Sequence, residues 1–130
     1  MVFRTNPATG VPLYLQLMEQ VKHAIETGAL RPGDQLPGIR PLAEELVINP
    51  NTVAKAYREL EHDHVIELRH GAGAFVSDNG RSKKLTDTVK AGQALVGATV
   101  ARLRARGVTD DEIRRLFEAE LSGIRTGGTR

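Results

Sequence analysis

The sequence contains no cysteine and no tryptophan, and its aromatic residues are only two tyrosines and three phenylalanines. Without cysteine there is no disulfide framework, thiolate metal cluster or thiol nucleophile. Few aromatic side chains argue against recognition of single-stranded nucleic acid by base stacking. No hydrophobic run approaches the roughly 20 residues that span a bilayer, and the first ten residues lack the basic and apolar regions of a signal peptide. We therefore expect a cytoplasmic protein.

Catalytic motifs are also missing. The sequence has no phosphate-binding loop, no nucleophile elbow and no His/Cys ligand set, so it does not predict an enzyme, a cofactor or a metal. Charge is divided unevenly: residues 1–78 hold seven Lys or Arg against ten Asp or Glu, whereas residues 79–130 hold eleven against six. An acidic first part binds nucleic acid only if its cations lie together on one face.

The most informative stretch is VINPNTVAKAYREL, residues 47–60. Asn49 is expected to cap a helix that begins at Pro50. Apolar residues at three- and four-residue spacing give this helix one buried face, formed by Val53, Ala56, Tyr57 and Leu60. Asn51, Thr52 and Lys55 then lie on another face, as either a solvated surface or a set of donors and acceptors for base edges and phosphates.

The order of the neighbouring elements predicts a winged helix-turn-helix domain. Helices are expected over residues 13–27, ending at Gly28, and over residues 39–46, with a short extended piece at 34–36 between them. Only three residues separate the second helix from Pro50, as in a helix-turn-helix pair. Residues 65–76 then read as a β-hairpin with a turn at 71–73. We expect core packing for Tyr57 and Phe75.

The remaining sequence predicts a helical dimerisation segment. After a polar linker at 77–84, a long helix is expected over 85–105. A capping box of Thr109 and Glu112 then opens a last helix, whose one apolar face is formed by Ile113, Leu116, Phe117 and Leu121, with Ile124 as a further candidate. Two apolar stripes on so short a helix pair need a partner, most simply a second copy of the chain. We divide the chain into a DNA-binding domain, 1–78, and a dimerisation domain, 79–130. The predicted dimerisation residues are Leu85, Val89, Gly92, Val96, Val100, Leu103, Leu116, Phe117 and Leu121.

Residues 12–61 and the GAGAFV segment, 71–76, resemble the N-terminal domain of the GntR family of bacterial transcription regulators. The PLY-Q start, the G-L-PGD-LP turn, the NPNTV-KAY-ELE helix and the G-G-FV wing occur in that order. The short helical tail resembles the YtrA subfamily. The resemblance implies a mainly α fold with a small β-hairpin, and a homodimeric repressor that binds double-stranded DNA at a palindromic operator, in this subfamily often of an ABC transporter operon. By position it implies DNA contacts by Arg40, Asn51, Thr52, Lys55, Arg69, His70 and Gly71.

Three positions depart from the family pattern. Gly38 stands where a serine usually caps the second helix, and Ala54 stands where some relatives carry a second DNA-contacting arginine. His64 replaces the glycine that usually ends the third helix, so it must accept a positive φ or reshape the turn.

Alternatives accompany these predictions. His62 and His64 form an H-x-H pair, but they diverge on a helix and have no third ligand nearby in sequence. Arg102, Arg104 and Arg106 form either a solvated face or a contact to the operator backbone. A second candidate function is a winged-helix protein-interaction module without DNA readout. The acidic charge of the first domain and the uncharged Ala54 support it. The sequence does not identify a small-molecule effector, and leaves open whether one enters near Gly92 and Gly97.

Overall fold

The computed structural model describes residues 2–78 and 83–123, with the side chains of residues 83 and 84 excepted. A short 3₁₀ helix, Pro7–Thr9, precedes α1 (Leu13–Glu26), α2 (Ile39–Leu46) and α3 (Pro50–His62). The hairpin strands β1 (Ile66–Arg69) and β2 (Gly73–Val76) follow, and then α4 (Lys83–Ala105) and α5 (Asp110–Ser122). The predicted residue Ile124 lies outside the described residues.

The chain divides into two compact units, Met1–Lys90 and Ala91–Arg130. This division by contacts falls inside α4. The functional boundary that we place between residues 78 and 79 stays a prediction.

The first unit is built around one hydrophobic core beneath α1, α2 and α3. Each helix contributes its apolar stripe, because residues three and four apart share one face. The centre of the core is formed by side chains that solvent barely reaches: Leu17, Val21, Leu42, Val53, Ala56, Tyr57 and Leu60. Phe3 from the N-terminal segment, Leu36 from the loop between α1 and α2, and Ile66 and Val76 from the hairpin close it.

Two side-chain hydrogen bonds position α3, the second helix of the helix-turn-helix. The Asn49 side-chain oxygen accepts a hydrogen bond from the Asn51 backbone N–H at 2.8 Å, as predicted for the N-cap of α3. Tyr57 donates its hydroxyl hydrogen to the Pro37 carbonyl at 2.7 Å, which ties α3 to the segment before α2. Burial raises the pKa of the Tyr57 phenol, so this donor keeps its proton at any physiological pH.

Among the described residues, two other than glycine take left-handed backbone conformations at helix ends. His64, at φ 61°, does so after α3, which is the first of the two outcomes expected from the missing glycine. Val47, at φ 55° and ψ 51°, ends α2 in the same way, and nothing in the sequence pattern indicated it. A β-branched residue is poorly suited to this region, so the turn between α2 and α3 stores strain.

The wing is a hairpin with a third extended segment beside it. β1 and β2 pair antiparallel, with Ile66 opposite Val76 and Arg69 opposite Gly73. The predicted extended piece around Gln35 joins the other edge of β2 through a bridge to Phe75. Backbone N–H groups of Gly33 and Leu36 each donate to a β2 carbonyl at 2.8 Å. The wing is therefore attached to the helical core through the loop between α1 and α2.

In the second unit, α5 begins as the sequence predicts. The Thr109 hydroxyl accepts from the Glu112 N–H while the Glu112 carboxylate accepts from the Thr109 N–H at 2.8 Å, forming the capping box. Arg104 also pairs with Asp110, with Nε 2.8 Å from Oδ1. Hydrophobic burial is slight by comparison, because only Ile113 is buried among the described residues of this unit.

Candidate nucleic-acid interface

The first turns of α3 carry polar side chains on the face opposite the core. Asn51 and Lys55 are exposed and Thr52 is half-buried, whereas the neighbouring Val53 and Ala56 are fully buried. This alternation follows from the helical repeat, which places residues 51 and 55 one turn apart on the same side. The face therefore presents one amide, one hydroxyl and one ammonium close together.

Tyr14 in α1 lies beneath the Lys55 ammonium. Lys55 Nζ is 4.1 Å from the centroid of the Tyr14 ring, within the range of a cation–π contact. Lys55 has no ion-pair partner among the described residues, so its charge is held by an aromatic face and not neutralised by a carboxylate. No sequence signal shows this contact, because it depends on how α1 and α3 cross.

Arg40 is the second residue of α2 and is exposed. Gly38 provides no side-chain cap, so the backbone N–H groups of the first turn receive no capping oxygen from it. Uncapped N–H groups at a helix start favour an anion. A guanidinium next to them gives a local arrangement suited to a phosphate.

At the wing tip, Arg69 is held by two neighbours. Its guanidinium carbon lies 4.2 Å from the centroid of the Phe75 ring, and its Nη2 lies 3.4 Å from Glu67 Oε2. Phe75 is half-buried under this guanidinium, so the expectation that its ring packs in the core is wrong. The alternation along β2 buries Ala74 and Val76 instead, and turns Phe75 to the other face.

His70 and Gly71 form the exposed turn between β1 and β2, where Gly71 has φ 74°. Gln35 supports the turn from below by donating its Nε2 hydrogen to the Ala72 carbonyl at 3.1 Å. The amide also lies close to Gly73, where an added Cβ would come within 2.9 Å of Gln35 Nε2. The wing tip is thus a braced turn that carries an arginine and a histidine.

The described residues offer little support for a metal site. They contain no group of three or more His, Cys, Asp or Glu side chains arranged to hold a metal ion. His62 Nδ1 lies 3.7 Å from a carboxylate oxygen of the adjacent Asp63, and His64 lies beyond the helix end. Nor does any described helix combine the length and apolar character needed to cross a membrane.

The fold and this surface define a winged helix-turn-helix DNA-binding protein. The profile of "Bacterial regulatory proteins, gntR family" matches residues 13–76. The chain is 40% identical to the "HTH-type transcriptional repressor YtrA" of Bacillus subtilis over 81 residues, which cover 62% of this chain and 62% of that repressor. It is 38% identical to the "HTH-type transcriptional regulator Rv1152" of Mycobacterium tuberculosis over 112 residues, covering 86% of this chain and 88% of the relative.

A solved structure, "YtrA from Sulfolobus acidocaldarius, a GntR-family transcription factor", superposes with a TM-score of 0.56. It is 30% identical and covers 73% of this chain and 98% of its own. The chain belongs to the GntR family, and these relatives support the YtrA subfamily. They are transcription regulators and not enzymes, which favours DNA binding over the protein-interaction module.

Proposed function

We propose that the chain is a homodimeric repressor that binds a palindromic operator through α3 and the wing. The observation that carries this proposal is the polar face of α3, where Asn51, Thr52 and Lys55 lie over a fully packed core. A helix so placed enters the major groove with its first turns against the bases. As a DNA-binding regulator, it would act in the cytoplasm. Control of an ABC transporter operon rests on the family resemblance alone.

The chemistry of the side chains on α3 and α2 indicates which of them would contact bases and which would contact the DNA backbone. The Asn51 amide can donate to one adenine edge atom and accept from another, which discriminates between bases. The Lys55 ammonium is a point charge suited to a phosphate and carries no sequence information. We assign phosphate contacts to Arg40, beside the uncapped start of α2, as well.

The wing supplies a second set of contacts. Arg69 and His70 would reach the minor groove or the sugar-phosphate backbone, with the Gly71 backbone close to the DNA. Arg69 must exchange its contact with Glu67 for one with a phosphate. That exchange is inexpensive, because exposed ion pairs such as Arg69 with Glu67 contribute about 0–1 kcal/mol.

Dimerisation is supported by the apolar surface that the helices after the linker leave uncovered. Leu95 is 72% exposed and Leu121 is 83% exposed, and Leu85, Val96 and Leu116 are each about half exposed. Added Cβ atoms at Gly92 and Gly97 would meet nothing within 4 Å, so both glycines leave room for close approach of another helix. A second copy of the same surface, related by a two-fold axis, is the simplest cover and would place two α3 helices on successive half-sites.

A gel-shift titration of the full-length chain on its own upstream DNA, at several salt concentrations, tests the DNA-binding part of the proposal. Specific binding should weaken steeply with salt, because phosphate contacts release counterions. Failure to shift any upstream fragment in a sequence-dependent way would refute it.

Two variants separate the roles within α3. Lys55→Ala should weaken binding to all sequences and flatten the salt dependence by about one charge, whereas Asn51→Ala should also relax base preference. Lys22→Ala is the matched control, because Lys22 lies on α1 and pairs with Asp63 at 3.8 Å. Equal losses on every sequence for the two α3 variants would contradict the division of work.

A further inference from the structure

A pocket lies beside the end of α1, away from the polar face of α3, and it is here called the α1–α4 pocket. It has a cavity volume of about 790 Å³, within the range of small-molecule sites. Its apolar wall is formed by Ile25, Leu30, Val65, Val76 and Leu85. All of its lining residues belong to the first compact unit, including those from the first turns of α4.

The pocket is formed where α4 meets the end of α1. Gly28, at φ 81°, follows α1, and an added Cβ there would lie 2.8 Å from the Thr86 methyl carbon. Only glycine satisfies both the positive φ and this close approach. The uncharged polar side chains along the lining are hydroxyls: Thr27, which is 8% exposed, Ser77 and Thr86.

Charge at the pocket favours an anion. Arg31 and Lys90 line it, and neither has an ion-pair partner among the described residues. Asp87 also lines it but takes part in an interaction of its own. Two uncompensated cations beside an apolar wall match a ligand that has a hydrophobic body and one negative group.

We propose that the α1–α4 pocket binds a small organic anion, with the apolar body against Leu30 and Val76 and the anionic group at Arg31 and Lys90. Within the first unit the ligand would contact the end of α1, the end of β2 and the first turns of α4, so it is placed to act as an effector. This inference does not depend on DNA recognition, and it concerns a different place from the region of Gly92 and Gly97.

Three naphthalene probes with the same body test the charge preference on the full-length chain without DNA. They are 2-naphthoate, 2-naphthylmethanol and 2-naphthylmethylammonium, which carry a negative, a neutral and a positive group. The chain has no tryptophan, so probe fluorescence is read against a low background. 2-Naphthoate should bind about tenfold more tightly than the alcohol, as expected for one charge-assisted contact, and the ammonium compound should bind most weakly. No binding of 2-naphthoate at millimolar concentration, or equal binding of all three probes, would overturn the proposal.

Variants and amide chemical shifts locate the site. Arg31→Gln combined with Lys90→Gln should lower 2-naphthoate affinity about tenfold and leave 2-naphthylmethanol unaffected, because the apolar wall is intact. The control is Arg102→Gln combined with Arg106→Gln, which removes two cations outside the pocket and should change neither affinity. 2-Naphthoate should shift the amides of Thr27, Gly28 and Ser77. Shifts confined to Leu95 and Leu116, or equal losses in both double variants, would place the ligand elsewhere and refute the assignment.

Discussion

The two compact units bury their hydrophobic residues to very different extents. The first unit closes a core around side chains such as Leu17, Val53 and Leu60, none of which is measurably exposed. Among the described residues of the second unit only Ile113 is buried, while Leu95, Val96 and Leu116 face outward. Burial of apolar surface is the main favourable contribution to folding, so the first unit is stabilised from within and the second depends on what covers it. The same difference separates the region proposed to read DNA from the region proposed to pair two copies.

The largest expected effect is on the core of the first unit. Leu17→Ala should lower the free energy of unfolding by about 3 kcal/mol, because it leaves a cavity at a fully buried position. Urea denaturation at one fixed protein concentration measures this, since dimerisation also contributes to stability. The matched control is Leu68→Ala, at a position 38% exposed on β1, which should cost less than about 1 kcal/mol. Similar costs for both variants would contradict the buried core described for this unit.

A substitution on the apolar surface of the second unit should weaken the association of two chains and leave the packing within each chain intact. Leu116→Asp places a charge on a half-exposed apolar position of α5 and should weaken the dimer at least about a hundredfold, since a charge buried at an interface loses its hydration. Light scattering across a range of micromolar concentrations measures the shift from dimer to monomer. Val11→Asp is the control, because Val11 is also about half exposed but lies in the first unit. A wild-type chain that is monomeric throughout that range would refute the proposed dimer.

Much of the fold was predictable because periodicity and capping are local properties. The three- and four-residue spacing located α1 and α2 within one residue of their observed ends, and Asn49 and Thr109 marked the starts of α3 and α5 through their own side chains. The mainly α fold with a winged helix-turn-helix is confirmed, and so is the family. The assigned DNA-contacting and dimerisation residues stay predictions.

What the sequence did not reveal depends on contacts between distant parts of the chain. Lys55 over Tyr14 follows from the crossing of two helices, and Arg69 over Phe75 from which face of β2 points outward. The α1–α4 pocket likewise depends on where Thr86 meets Gly28. The left-handed Val47 was missed for another reason, because a β-branched side chain normally disfavours that conformation and so does not predict it.

A smaller effect should reveal how much strain the first unit carries. Val47→Gly should raise the free energy of unfolding by about 0.5–1 kcal/mol, because relief of the left-handed strain exceeds the added entropy of an unfolded glycine. Val47 is 88% exposed, so little packing is lost. Val11→Gly lacks that strain and should be neutral or destabilising in the same urea experiment. A loss of stability in Val47→Gly would show that the valine side chain contributes more than its backbone costs.

The smallest expected effect concerns pH and the start of α5. Hydrogen bonds from Thr109 lower the pKa of Glu112, and the hydrogen bond and charge of Arg104 lower the pKa of Asp110. Because both pKa values in the folded state lie below their ordinary values, the two ionised carboxylates stabilise the fold fully above the ordinary carboxyl range, and this contribution is lost as pH falls through the lowered values.

Carboxyl chemical shifts followed by NMR from neutral pH to about pH 2 measure both pKa values against those of ordinary carboxyls near 4. Arg104→Gln should raise the pKa of Asp110 and leave Glu112 unchanged, whereas Thr109→Ala should raise the pKa of Glu112 only in part, because the backbone N–H at position 109 remains. If Arg104→Gln moved both pKa values equally, the two carboxylates would share one electrostatic environment, and the ion pair and capping box would not be the separate stabilising contacts that their geometry indicates.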